Sequence, residues 1–198
     1  MASPVTTANK ISIFRILLVP VFIGFGVYYG DSVARGAPDE RLRHAATFVF
    51  ALAALSDALD GYIARHYNQK TPLGAILDPL ADKLLMLAAI LTLSFTAWPQ
   101  RFPLWFPVIV ISKDVLSVAG AFLIDHIAGR CRIKAHWTGK VSTFCQIVAL
   151  LWVMLDIRFP PAMWSAAVAA FFSVLSGGIN LADGIRQLQS SGHANPAS

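Results

Sequence analysis

The sequence predicts an all-α polytopic membrane protein, a bundle of six transmembrane helices with both termini in the cytoplasm. Its 198 residues are 56% hydrophobic and 14% charged, which leaves too little polar surface to cover a soluble domain of this size. Apolar runs of roughly 20 residues recur along the chain, and Lys and Arg are distributed unevenly between the connections. A soluble globular domain is therefore excluded, and no nucleic-acid partner is expected.

The apolar runs define the predicted spans. They lie at about 11–29, 45–65, 76–97, 103–124, 139–156 and 162–184. The first run is predicted to be a retained helix, because Arg15 interrupts it and no small-residue cleavage pattern follows. Residues 1–186 are predicted to form one membrane domain, and residues 187–198, rich in Ser, Gly, Asn and Pro, a disordered tail.

Basic residues set the predicted orientation. Nine lie beside the connections on one side, and five lie on the other: Arg35, Arg41, Arg43, Arg101 and Arg158. The positive-inside rule places the richer side, and with it both termini, on the cytoplasmic face of the inner membrane. The connections on the predicted outer face, at 30–44, 98–103 and 156–161, look plain.

Four aspartates stand at the predicted inner ends of the second and third helices. Asp57 and Asp60 are three residues apart, and Asp78 and Asp82 are four apart, so each pair shares a helix face. A short connection makes the two helices antiparallel neighbours, so the pairs can converge. Each ionised carboxylate in a membrane helix costs about 2.5–3.5 kcal/mol, which requires a compensating positive charge.

The compensating charge has two candidate sources. Arg65 and Lys83 could form salt bridges with two of the acids, but two acids would remain unmatched. Four carboxylates without Cys or His form a hard oxygen site, suited to Mg²⁺, Mn²⁺ or Ca²⁺. The sequence therefore favours a divalent-metal site.

Small residues stand beside the acids. Gly61 and Ala64 follow Asp60, and Gly74 precedes Asp78. A helix face without large side chains allows the close approach of a ligand or of another helix, and Gly61 can serve both purposes.

The whole stretch "DALDGYIARHYNQKTPLGAILDPLAD", from Asp57 to Asp82, resembles the signature of the CDP-alcohol phosphatidyltransferases in each fixed position. The segments "NKISIFRILLVP" and "GKVSTFCQ" are similar to the first and fifth helices of that family. Asn9, Ser12 and Arg15 have the family's spacing in the first helix, which suggests that they support the site.

The resemblance implies a metal-dependent transfer of the phosphatidyl group of CDP-diacylglycerol to an alcohol acceptor, with release of CMP. It implies two Mg²⁺ or Mn²⁺ ions held by the four aspartates, with Asp82 also acting as the general base. It assigns the cytidine diphosphate pocket to Gly61, Ala64, Arg65, Thr71 and Gly74. It further implies a homodimer with its active site at the cytoplasmic boundary, in contact with membrane lipids.

The acceptor site is predicted among cations of the fourth and fifth helices and their connection: Lys113, Arg130, Arg132, Lys134 and Lys140. The alternatives are a salt bridge for Lys113 and attraction of the connection to anionic lipid headgroups. Glycerol 3-phosphate is the expected acceptor. The family branch that uses this acceptor usually has Arg-Glu where this chain has Lys113-Asp114, and an arginine where it has Ala121. Phosphatidylglycerol, which is the acceptor in cardiolipin synthesis, is therefore an alternative.

Two other classes of function are compatible with acids inside a membrane. A cation channel or transporter also places carboxylates along its pathway. A membrane scaffold that only binds its partners is a third possibility. The acids gather at one end of two helices instead of crossing the bundle, which favours the enzyme.

Overall fold

The computed structural model of the chain consists of helices and short connections. It describes the backbone at 7–66, 72–128 and 137–192 and the side chains at 10–56, 80–120 and 137–184. The helices are α1 Thr7–Ala34, α2 Glu40–His66, α3 Pro72–Phe95, α4 Trp105–Ala128, α5 Trp137–Met154 and α6 Ala162–Gly192. No strand occurs within those backbone ranges. The prediction of an all-α fold with six helices is confirmed.

Several helices extend beyond their apolar runs because polar residues also favour helix. α2 begins at Glu40, ahead of the run that starts at 45, since the Asp39 carboxylate caps it by accepting a hydrogen bond from the Arg41 N–H at 3.0 Å.

α6 continues to Gly192, into the segment predicted to be a disordered tail. Gln187, Leu188 and Gln189 are favourable helix formers. Residues 193–198 lie outside the described chain, and the division into one domain and a tail stays a prediction.

Membrane insertion is supported by helix length and by side-chain exposure. Within the described residues, three helices are long and apolar enough to cross a bilayer: Lys10–Ala34, Trp137–Met154 and Ala162–Gly184. Large apolar side chains such as Leu17 on α1 and Phe171 on α6 are more than half exposed, as expected of a surface that faces lipid. The complete six-span arrangement stays a prediction.

Contacts divide the chain into two compact units. The first comprises Met1–Phe102 and Leu150–Ala162. In it α1 packs against both α2 and α3, which also contact each other. Ser12, Arg15 and Phe22 lie on the buried face of α1, whereas Phe14 and Leu17 are exposed.

The packing of α1 against α3 and against the residues that directly follow α3 depends on two glycines. A methyl group added at Gly26 would lie 2.6 Å from Thr92 Cγ2, and one at Gly30 would lie 2.8 Å from Thr96 Cβ. Such separations are too short for real contacts, so the two backbones can approach only because both positions lack a side chain. The Trp98 indole N–H also donates to the Gly26 carbonyl oxygen at 3.0 Å, which fixes the start of the α3–α4 connection to α1.

The connection after α5 is more specific than its sequence suggested. Asp156 has a φ of 52°, a left-handed conformation that Asp tolerates better than most residues. The N–H groups of Asp156 and Ile157 donate to the carbonyls of Val153 and Trp152, which satisfies the end of α5.

The carboxylate of Asp156 also contacts one side chain from the first turns of α2 and one from the α3–α4 connection. Gln100 Nε2 donates to its Oδ1 at 3.2 Å, and Arg43 Nη1 lies 3.7 Å from its Oδ2. Arg43 also pairs with Glu40 at 2.7 Å, and Arg158 lies 3.3 Å from the same Asp156 oxygen. The expectation that these connections are plain is wrong. A glycine at 156 could adopt the same left-handed conformation, but it could not form the ion pairs and the hydrogen bond of the Asp156 carboxylate.

The second unit comprises Pro103–Ala149 and Met163–Ser198. A buried hydrogen-bond cluster joins its parts of α5 and α6. Gln146 Nε2 donates to Ser173 Oγ at 2.7 Å, the hydroxyls of Ser142 and Ser173 are 3.0 Å apart, and Ser173 donates to the Ala169 carbonyl at 2.8 Å. All three side chains are at least 98% buried, so the cluster gives a specific contact where apolar packing alone would not fix the register.

Replacing Gly30 should test the close contact of α1 with the residues that directly follow α3, Thr96 and Ala97. We expect Gly30→Ala to lower the free energy of unfolding by about 1–3 kcal/mol, because the new methyl group would also lie 3.1 Å from the Ala97 backbone nitrogen. SDS-induced unfolding in mixed micelles measures this change. Gly24→Ala is the control, since no described atom lies within 4 Å of its added methyl group. Equal stability of the two variants would contradict the packing account.

Replacing Ser173 should test the polar cluster of the second unit. We expect Ser173→Ala to cost about 1 kcal/mol in the same unfolding assay, because the buried Gln146 amide would lose its shorter hydrogen bond and keep only the one to Ser142 Oγ at 3.5 Å. In a Gln146→Leu background the same substitution should cost less, since the Gln146–Ser173 hydrogen bond is already absent and only the contact of Ser173 with the Ser142 hydroxyl is lost. A cost that is the same in both backgrounds would show that the hydrogen bond does not stabilise the contact.

Candidate functional site

The four aspartates lie on two helices that touch. Asp57 and Asp60 belong to α2, Asp78 and Asp82 belong to α3, and the two helices contact each other within the first unit. This confirms the helical setting that the prediction required. The side chains of Asp57, Asp60 and Asp78 lie outside the described residues, whereas that of Asp82 is described and partly buried.

The donor set fits a divalent cation. Each candidate ligand is a carboxylate, and oxygen ligands are those that Mg²⁺ and Mn²⁺ prefer. The contact of α2 with α3 brings the two helices that carry them into one unit. Among the described side chains, which include Asp82 but not its three predicted partners, there is no group of three potential metal ligands.

The predicted nucleotide residues follow the same helices. Gly61, Ala64 and Arg65 lie on α2 and Gly74 lies on α3, with side chains outside the described set. Thr71 falls between the two helices, outside the described residues. Their assignment to the nucleotide stays a prediction.

Ser12 and Arg15 are directed into the first unit. Both side chains are 0% exposed, whereas the intervening Ile13 and Phe14 are 41% and 47% exposed. Each of the two polar residues has an interaction partner in the structure. A fully buried arginine in a helix that can cross the bilayer is costly, which makes it a candidate for a functional site. The side chain of Asn9 lies outside the described set.

Lys113 of α4 is held within the second unit. Its side chain is 13% exposed, and its Nζ lies 2.7 Å from Asp114 Oδ1. The salt bridge named as the alternative for Lys113 is therefore present. One carboxylate uses part of the bonding capacity of an ammonium group, which has three donors. The pair thus does not exclude a second anion.

The stem of Lys113 lies against α6. A methyl group added at Gly177 would be 2.8 Å from Lys113 Cγ. One residue earlier on α6, Ser176 Oγ lies 3.6 Å from where a methyl group on Gly139 of α5 would be. Ser176 and Gly177 are consecutive on α6. This helix therefore contacts α4 and α5 at the same height along its axis, which we call one level.

Lys140 follows Gly139 and so lies at that level on α5. It is exposed and lines an open groove of about 370 Å³, together with Gly139, Thr143, Phe144 and Ile147. All these residues belong to one helix and the lining is mostly apolar, so the groove is a surface feature and not an enclosed substrate pocket. Of the predicted acceptor residues, the structure thus brings Lys113 and Lys140 to the same level. Arg130, Arg132 and Lys134 lie outside the described residues.

Two features near this level were not predicted. Thr138 has a buried hydroxyl oxygen without a hydrogen-bond partner among the described residues. Gly177 is followed by Gly178, and a glycine in a helix interior costs up to about 1 kcal/mol relative to alanine. That pair was a signal in the sequence, but only the structure shows which of the two glycines is in contact.

Comparison with known families and proteins extends the resemblance over most of the chain. The family model described as CDP-alcohol phosphatidyltransferase matches residues 5–175. A CDP-diacylglycerol–glycerol-3-phosphate 3-phosphatidyltransferase of Bacillus subtilis (strain 168) is 35% identical over 178 residues, which are 85% of this chain and 90% of that protein.

Two further relatives show a similar degree of identity. A protein of the same name from Escherichia coli (strain K12) is 32% identical over 166 residues, 82% of each chain. A probable phosphatidylglycerophosphate synthase of Mycobacterium tuberculosis (strain CDC 1551 / Oshkosh) is 32% identical over 184 residues, 91% of this chain and 82% of that protein. The family match includes the aspartate-bearing parts of α2 and α3, and the chain therefore belongs to the CDP-alcohol phosphatidyltransferase family.

Proposed function

We propose that the chain transfers the phosphatidyl group of CDP-diacylglycerol to glycerol 3-phosphate and releases CMP. The observation that carries this proposal is its similarity to relatives named for that reaction, at 32–35% identity over 82–85% of the chain. The setting is consistent with it, because a diacylglycerol lipid requires an apolar helical surface and a diphosphate requires cations. Family membership sets aside the transporter and the scaffold.

The reaction is a substitution at phosphorus. A hydroxyl oxygen of the acceptor bonds to the phosphorus that carries the diacylglycerol, the bond from that phosphorus to the CMP oxygen breaks, and the hydroxyl proton leaves to a base. We assign the base to Asp82, which lies in α3 and is partly buried. Phosphoryl transfer depends mainly on positioning and on charge neutralisation, so a carboxylate base is sufficient.

The family generally uses divalent cations, and we assign them to Asp57, Asp60, Asp78 and Asp82, as two Mg²⁺ or Mn²⁺ ions. When bound, such ions neutralise diphosphate charge and stabilise the attacking and leaving oxygens. Arg65 of α2 is proposed to bind diphosphate oxygens, with Gly61, Ala64, Thr71 and Gly74 lining the nucleotide pocket.

Charge at the buried end of α1 complements this arrangement. Arg15 is fully buried beside Ser12 in the unit that contains the aspartate helices. We propose that it balances anionic groups of the site, either the carboxylates or the substrate phosphates, and that Asn9 and Ser12 support it. A buried arginine without such a role would be retained at a large cost in free energy.

The acceptor phosphate is assigned to the cations of the second unit. Lys113 and Lys140 are at one level of that unit, and the connection between α4 and α5 supplies Arg130, Arg132 and Lys134. Phosphate monoesters are recognised by such combinations of ammonium and guanidinium groups. Phosphatidylglycerol, which lacks a terminal phosphate monoester, would make less use of them.

We also propose the membrane arrangement that the reaction requires. Six spans, cytoplasmic termini and an active site at the inner face of the inner membrane would give the soluble acceptor access to the lipid donor. The distribution of Lys and Arg supports this orientation. A homodimer is proposed on family resemblance.

An acceptor panel tests the proposed reaction. Purified protein in micelles, with CDP-diacylglycerol and Mg²⁺ or Mn²⁺, is given glycerol 3-phosphate, phosphatidylglycerol, inositol phosphate or serine. We expect CMP release and a lipid of the mass of phosphatidylglycerol phosphate with glycerol 3-phosphate alone. Asp82→Asn should lower kcat by about 100-fold or more, because it removes the base.

Asp31→Asn is the control for this substitution, since Asp31 is an exposed carboxylate at the far end of α1 and pairs with Arg35. Its activity should equal that of the unmodified protein. A product of cardiolipin mass would replace the proposed acceptor, and absence of CMP release with every acceptor would refute the transferase. Full activity of Asp82→Asn would remove that residue from its role.

A further inference from the structure

Gly177 of α6 occupies a position that only glycine can fill without moving Lys113. A methyl group there would lie 2.8 Å from Lys113 Cγ, 3.8 Å from its Cδ and 3.9 Å from its Cβ. The contact is therefore with the base of the lysine side chain. A displaced Cγ moves every atom beyond it, including the ammonium group.

The contact is specific to this position. Among the side chains and backbone that the structure describes, nothing lies within 4 Å of a methyl group built on Gly178 of the same helix, nor of one built on Gly120 of α4. The helix thus has two adjacent glycines, but only the first faces another side chain. The cost of glycine in a helix interior is offset at 177 by the space that it leaves for the lysine stem.

The path of the stem also determines what the ammonium group can bind. Lys113 Nζ pairs with Asp114, its neighbour in the chain, and the pair is mostly buried, at 13% and 24% exposure. Side chains of adjacent helix residues diverge by about 100°, so the lysine must follow a particular course to reach that carboxylate. With one proton used by Asp114, two remain to donate to an anion.

We propose that Gly177 is a positioning residue, which holds the Lys113 ammonium where it binds the phosphate monoester of the acceptor. The proposal rests on the function proposed above and adds to it a determinant of acceptor affinity. Gly177 lies beyond residues 5–175, which the family model matches, so family membership does not assign it a role. A side chain at 177 would weaken binding of the acceptor phosphate without affecting the lipid donor.

The test compares Gly177→Ala with Gly178→Ala in steady-state assays of CMP release. We expect Gly177→Ala to raise KM for glycerol 3-phosphate about tenfold or more, as expected for a misplaced charge-assisted hydrogen bond. The kcat at saturating acceptor and KM for CDP-diacylglycerol should stay within about twofold of the unmodified values. Gly178→Ala should behave as the unmodified protein.

A double variant separates this positioning role from a general packing effect. Lys113→Ala should itself raise KM for glycerol 3-phosphate, and Gly177→Ala should add less than about twofold in that background, because no Cγ is left to collide. If Gly177→Ala alone does not fold because its methyl group collides with Lys113 Cγ, the double variant should fold, since that atom is then absent. A penalty of Gly177→Ala that persists without the lysine, or a double variant that also fails to fold, overturns the proposal.

Binding without turnover distinguishes this proposal from the reaction itself. Glycerol 3-phosphate should raise the thermal unfolding temperature of the unmodified protein and of Gly178→Ala in micelles, but not that of Gly177→Ala. If glycerol 3-phosphate stabilises the unmodified protein and Gly178→Ala but not Gly177→Ala, and the unmodified protein releases no CMP, the proposed reaction is refuted and the positioning role is supported. CMP release with normal acceptor KM in both Gly177→Ala and Lys113→Ala would refute the positioning role alone.

Discussion

Charge buried among apolar helices must be matched by opposite charge or by hydrogen bonds, and many specific features of this protein follow from that constraint. An isolated charge at bilayer depth costs about 2.5–3.5 kcal/mol or more, so charged side chains there are almost always paired. Arg15 is fully buried and engaged, and Lys113 pairs with Asp114. Arg43 is shared between Glu40 and Asp156. The four aspartates of α2 and α3 are a further concentration of charge.

The second constraint is close helix approach. Lipid chains are as apolar as leucine side chains, so helices in a membrane associate through tight packing and hydrogen bonds. α1 meets α3 at Gly26 and the connection after α3 at Gly30, and α5 meets α6 through Ser142, Gln146 and Ser173. Gly177 also allows a close contact because it lacks a side chain. The space beside it is filled by the side-chain stem of Lys113.

The helices could be predicted from the sequence because hydrophobic length is a local property. Each of the six apolar runs corresponds to a helix, and the aspartates fall on α2 and α3 as their spacing indicated. Helix ends were less predictable, because caps such as Asp39 and the left-handed Asp156 depend on single residues. The continuation of α6 to Gly192 was missed because a polar composition does not exclude helix.

Contacts between distant residues could not be predicted in this way. Nothing in the local sequence of 156–161 indicates that Asp156 binds Gln100 and Arg43, since those partners are far away in the chain. Likewise, the cations of α4 and α5 were predicted as a group, but only the structure shows that α6 joins Lys113 and Gly139 at one level. The resemblance supplied the roles of residues, whereas the structure supplied their neighbours.

The central claim is that the acids of α2 and α3 are tolerated because they hold divalent cations that the transfer requires. Electron paramagnetic resonance of Mn²⁺ titrated into the purified protein in micelles tests it most directly. The account predicts saturable Mn²⁺ binding that is lost in Asp57→Asn and Asp60→Asn, is retained in Asp31→Asn, and parallels CMP release. Equal binding in all of these proteins, or undiminished CMP release in excess EDTA, would contradict it.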